Sequence, residues 1–173
     1  YNGTNGSDDA TSVLPVEALG YKYMAMTYLD PPNTNWGSPE ILIVATEDNT
    51  QINITPSAGL SNGQTGVISV NLNKGQTYQV QSNWMNGGQN GGNDLSGSFI
   101  ESVCNSDGLI HKIAVFSGDK CSMVGGLQCS GCDHLMEQMW PTSKLGTNFV
   151  VTAPVNRDTY ILKITAKNNN TGV

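Results

Sequence analysis

Ile41-Leu42-Ile43-Val44-Ala45-Thr46, then Glu47-Asp48-Asn49, then Thr50-Gln51-Ile52-Asn53-Ile54-Thr55: this stretch decides the fold class. The first segment is a continuous apolar run of strand length, rich in branched side chains, as in a strand buried on both faces. The last alternates, with Ile52 and Ile54 inward and Gln51 and Asn53 outward. Between them lies a carboxylate–amide cluster of the kind that bends a chain through side-chain-to-backbone hydrogen bonds.

The same alternation of strand and turn extends in both directions. Upstream, Asp30–Pro39 holds three prolines and reads as a loop, and Tyr21–Tyr28 has strand composition. Residues 1–13 are a polar, flexible lead-in. Downstream, Val67–Leu72 and Thr77–Gln81 alternate around Asn73-Lys74-Gly75 and predict a hairpin. Asn86–Asn93 is a polar loop. Ser98–Val103, Lys112–Phe116, Phe149–Ala153 and Tyr160–Thr165 are further strands. The fold class expected is all-β, a β-sandwich-like or repeat β architecture. It has one exception. In Asp133–Met139, Leu135, Met136 and Met139 fall at helical spacing, Asp133 suits an N-cap and Pro141 follows, so a short helix is predicted there.

Composition narrows the function. Charged residues are only 13% of 173, and the formal net charge is −6. Gly, Asn, Ser and Thr make up the difference, so the surface interacts through amides and hydroxyls. A negative field with eight scattered basic residues argues against nucleic-acid binding. No apolar run approaches the roughly 20 residues of a spanning helix, so membrane insertion is not expected. Low charge and four cysteines point to an oxidising, extracellular compartment, secreted or at the cell surface.

Those cysteines, Cys104, Cys121, Cys129 and Cys132, allow two disulfides in any of three pairings. Cys129-Ser130-Gly131-Cys132 with Cys121 and His134 also spells a zinc-type spacing, but the extracellular reading favours disulfides and no metal. Haem attachment needs a histidine where Asp133 stands.

The chain also repeats itself. Leu14-Pro15-Val16-Glu17-Ala18-Leu19-Gly20 is echoed by Trp140-Pro141-Thr142-Ser143-Lys144-Leu145-Gly146, and the segment from Ile43 to Ile52 by the segment from Ile164 to Val173. Order and register agree, and the Pro-rich loop absorbs the difference in offset. The organisation expected is a first β repeat over residues 14–139 and the start of a second, truncated repeat over 140–173.

Several phrases carry a family resemblance. Ala45-Thr46-Glu47-Asp48-Asn49-Thr50, Leu72-Asn73-Lys74-Gly75-Gln76-Thr77-Tyr78, Ala114-Val115-Phe116-Ser117-Gly118 and Cys132-Asp133-His134-Leu135 occur in this order. The chain resembles the N-terminal domain of IgGFc-binding proteins from about Leu14 onward, and its Asn-rich turns are similar to those of bacterial surface members. The resemblance implies an extracellular module without catalytic residues in a large, repetitive surface protein, acting in adhesion or as a filament building block. Its partners would be a protein or glycan ligand at the cell surface, or further copies of the repeat. It also implies a Cys121–Cys132 bridge, since those positions are shared by the family, which leaves Cys104 to pair with Cys129.

Other chemistry is thin. Asp133 and Glu137, or Glu47 and Asp48, are the carboxylates a glycan hydrolase would use, and that enzyme is the competing function. A purely structural spacer repeat is the third. No nucleophile-elbow motif is present. No cofactor is expected, although Glu47-Asp48-Asn49 and Asn93-Asp94 carry oxygen ligands of the type calcium takes. Trp36 and Trp84 sit in loops and are the candidate ligand contacts, because a loop indole offers apolar area for a sugar or a protein.

Overall fold

Two four-stranded antiparallel sheets share one core in the computed structural model, which describes residues 10–29, 37–83, 93–124, 132–153, 155–156 and 160–168. The strands are β1 (Lys22–Met24), β2 (Pro39–Ala45), β3 (Thr50–Thr55), β4 (Ile68–Leu72), β5 (Thr77–Gln81), β6 (Phe99–Val103), β7 (Ile113–Ser122) and β8 (Asp133–Gln138). One sheet has the order β1-β6-β3-β4 and the other β5-β2-β7-β8. Ile52, Ile54 and Ile100 from the first meet Ile41, Ile43 and Val115 from the second, all fully buried. This is a β-sandwich, as the alternating pattern predicted. Among the described residues no helix is long and apolar enough to cross a membrane.

The connections differ from the expected hairpin. β4 and β5 lie in different sheets, so the Asn73-Lys74-Gly75 turn carries the chain across the core. Gly75 takes a φ of 78° there, and its amide donates to the Ala45 carbonyl. The Glu47-Asp48-Asn49 turn between β2 and β3 is also an arch, with Asn49 at a φ of 54°. Each arch lets two successive strands face one another through the core, and inward alternation is satisfied just as well as in a hairpin.

Tyr23 joins the two sheets. Its fully buried hydroxyl accepts from the Gly20 amide at 2.8 Å and donates to the Ile113 carbonyl at 2.7 Å. Burial pushes its phenol up, and the Gly20 hydrogen bond opposes that shift.

The segment expected to be helical over Asp133–Met139 is instead the edge strand β8, paired to β7 from Phe116↔Gln138 to Ser122↔Asp133 with an irregularity between Asp119 and Ser122. Two turns of isolated helix have little stability of their own, whereas the free edge of β7 offers a full set of backbone partners. Gly118 makes the approach possible, because a Cβ there would stand 1.8 Å from the Leu135 carbonyl oxygen. Phe149–Ala153 and Tyr160–Thr165, expected as strands, have strand-like sequence but no ladder.

Candidate binding surface

The end of the sandwich where β2 passes to β3 and β6 passes to β7 is built around Asn105. Its side-chain oxygen accepts from the amides of Asp107 and Leu109, each at 2.9 Å, and its backbone amide donates to the Leu109 carbonyl at 2.9 Å. Its Nδ2 donates to the Asn49 carbonyl at 2.8 Å, which fixes the loop to the neighbouring arch. Asn49 reciprocates by donating to Ser106 Oγ at 3.1 Å and to Asp107 Oδ2 at 2.5 Å. Asn71 Nδ2 in turn donates to Asn49 Oδ1 at 2.7 Å.

This network holds the 105–109 loop in one shape and leaves Leu109 and Ile110 exposed beside it. Ile110 also lines a cleft of about 210 Å³ with Val16, Tyr21 and Thr46, bounded by Glu47, His111 and Lys112. Val16 and Tyr21 are exposed as well. Lys112 is held in place by donating to the carbonyls of Val16 and Glu17 at 3.2 and 2.9 Å. The result is a fixed apolar rim with charges around it. An arrangement of this kind suits a protein surface, because little conformational freedom is left to lose on binding.

Sequence reasoning missed this site. The signal was Asn105-Ser106-Asp107-Gly108, a dense turn cluster directly followed by an apolar pair. The expected ligand contacts, Trp36 and Trp84, lie outside the described residues. The carboxylates considered for catalysis do not converge. Asp133 and Glu137 lie along one strand, where four residues span about 13 Å, beyond the separation that glycoside hydrolysis uses. Glu137 accepts from Thr11 Oγ1 at 2.7 Å. Asp48 accepts the Lys74 amide at 3.0 Å, so it ties two arches together. Among the described residues no group of three His, Cys, Asp or Glu side chains is placed to hold a metal ion.

His134 faces Glu40 across the second sheet, Nε2 to Oε1 at 3.8 Å. Glu40 is largely buried, and its other oxygen accepts from Gln79 and Gln81 at 2.6 and 2.9 Å. Cys121 and Cys132 are disulfide-bonded, so Cys129 and Cys132 are not joined. Cys104 carries a free, exposed thiol just after β6, and Cys129, expected as its partner, lies outside the described residues.

Against known proteins, the family model described as IgGFc binding protein matches residues 9–173. The IgGFc-binding protein of Homo sapiens is 28% identical over 167 residues, covering 93% of this chain and 3% of that protein. The chain therefore spans a small fraction of the relative's length. No solved structure matches.

Proposed function

Because the chain belongs to the IgGFc-binding protein family, we propose that it is an extracellular protein-binding module whose contact surface is the Leu109–Ile110 rim of the sandwich. The observation that carries this reading is the exposed apolar pair on a loop already fixed by Asn105 and Asn49. Leu109 and Ile110 adjoin the exposed Val16 and Tyr21 of the cleft, and contiguous exposed apolar side chains of this kind mark interaction sites. The disulfide and the low charge support an extracellular setting. The reading extends to a non-catalytic adhesive or matrix-forming role in a large surface protein, in the manner of adhesin-type members of the family.

The name of the human relative states that it binds IgG Fc, so Fc is the first probe. Surface plasmon resonance of the chain over a panel of secreted proteins, Fc included, tests the reading. Saturable binding that weakens at least about tenfold in a Leu109→Asp, Ile110→Asp double variant with unchanged melting temperature is expected, since central apolar contacts dominate protein interfaces. Binding to no member of the panel, or binding that the double variant leaves intact, contradicts it.

A further inference from the structure

The chain builds the same turn twice. Pro15 (φ −65°, ψ 154°) opens a three-residue 3-10 turn, Val16–Ala18, closed by extended Leu19 (φ −69°, ψ 160°). Pro141 (φ −63°, ψ 146°) opens Thr142–Lys144, closed by extended Leu145 (φ −69°, ψ 137°). These are the two segments that echo each other in sequence, so the echo is structural. After the first turn comes β1, and β2 follows it. After the second come residues 147–166, which have the same inward pattern, and those the structure describes, 147–153, 155–156 and 160–166, have none of its burial.

The contrast is position by position. Tyr23 is 0% exposed and its counterpart Phe149 is 75% exposed. Ile41 and Ile43 are 0% exposed, and their counterparts Leu162 and Ile164 are 53% and 55% exposed. Lys163, between those two, corresponds to Leu42, which points away from the core of the first sandwich. Lys163 behaves accordingly. It reaches back to the first sandwich, donating to Thr27 O and to Asp94 Oδ2, each at 2.6 Å. The second turn also packs on the first, since a Cβ at Gly20 would stand 2.4 Å from Pro141 Cβ.

We propose that residues 147–166 are the first two strands of a second sandwich of this same fold, and that the surface of Phe149, Val151, Leu162 and Ile164 is covered by a module supplying the equivalents of β3 to β8. An intact second copy of the chain does not fit this role. In it the place beside β6 is taken by β1, and the place between β5 and β7 is taken by β2. The partner is a unit of this fold lacking its own first two strands, which accepts them by strand addition. Lys163 and the Gly20–Pro141 contact then hold successive units together.

The test uses the full chain with residues 53–139 of the same sequence fused after Val173, which preserves the register between the two segments. Hydrogen exchange is read at residues 147–166 in the 173-residue chain and in the fusion. The proposal expects exchange close to the intrinsic rate in the chain alone and at least about 100-fold slower exchange in the fusion, for an opening free energy approaching that of a folded strand. It also expects Phe149→Ser with Ile164→Ser to abolish that protection while leaving the β1–β8 amides of the first sandwich protected. Unprotected residues 147–166 in the fusion overturn the proposal. So does strong protection already present in the chain alone, which would mean that the segment packs on its own sandwich.

Discussion

Lys163 Nζ stands 2.6 Å from Asp94 Oδ2, so a residue far along the chain closes on the loop that precedes β6. Burial alone would raise the Asp94 carboxyl. The Lys163 ammonium, the Ser96 hydroxyl and amide and the Thr27 hydroxyl outweigh it, and the group titrates below the ordinary carboxylate range. A carboxyl depressed on folding contributes stability that is complete above its unfolded value, about 3.9. That contribution is lost as pH falls through the lower folded value. Melting temperature followed from pH 6 to pH 2 is expected to fall less steeply below about pH 4 in Asp94→Asn than in the parent. Lys163→Met is expected to cost about 1 kcal/mol or less at neutral pH, because the pair is partly exposed.

Tyr23→Phe removes a hydroxyl that satisfies the Gly20 amide and the Ile113 carbonyl inside the core. Leaving such groups without their partner costs about 1–3 kcal/mol. Urea denaturation is expected to show a lower midpoint with an unchanged slope. An unchanged midpoint would show that the two sheets do not depend on this link.

Gly118→Ala places a methyl group against the Leu135 carbonyl. Both strands have to separate locally, at a cost of about 1–3 kcal/mol by analogy with overpacked cores. The expected outcome is faster amide exchange along Asp133–Gln138, with β3 and β6 unaffected. Equal exchange along β8 would contradict its assignment as a strand.

The Cys121–Cys132 bridge ties β7 to the start of β8 over a separation of 11 residues. A loop of that size is worth about 2–3 kcal/mol when closed. Peptide mapping without reductant is expected to recover a Cys121–Cys132 linked peptide. Cys121→Ser with Cys132→Ser should lower the denaturation midpoint by a corresponding amount.

Much of the fold was legible because alternation reports which side chains face inward. β2, β3, β5 and β6 lie where Ile41, Ile52, Val80 and Ile100 put them. Alternation does not report which strand lies alongside. The turn at Asn73–Gly75 therefore read as a hairpin, although it is an arch between sheets. Leu135, Met136 and Met139 satisfy helical spacing, and nothing local says that Gly118, well upstream, opens an edge for them. The candidate surface was less legible still. It depends on Asn105 and Asn49, two amides far apart in sequence whose meeting is a product of the fold.

The proposed contact surface centres on the Leu109–Ile110 rim. Hydrogen exchange of the 173-residue chain, with and without a saturating amount of a panel protein that binds it, reads that rim most directly. Slowed exchange is predicted for residues 105–112 and for the adjoining cleft residues Val16 and Tyr21, with the outer strands β4 and β8 unchanged. Slowed exchange confined to β4 or β8, or no change anywhere in the chain, would contradict it.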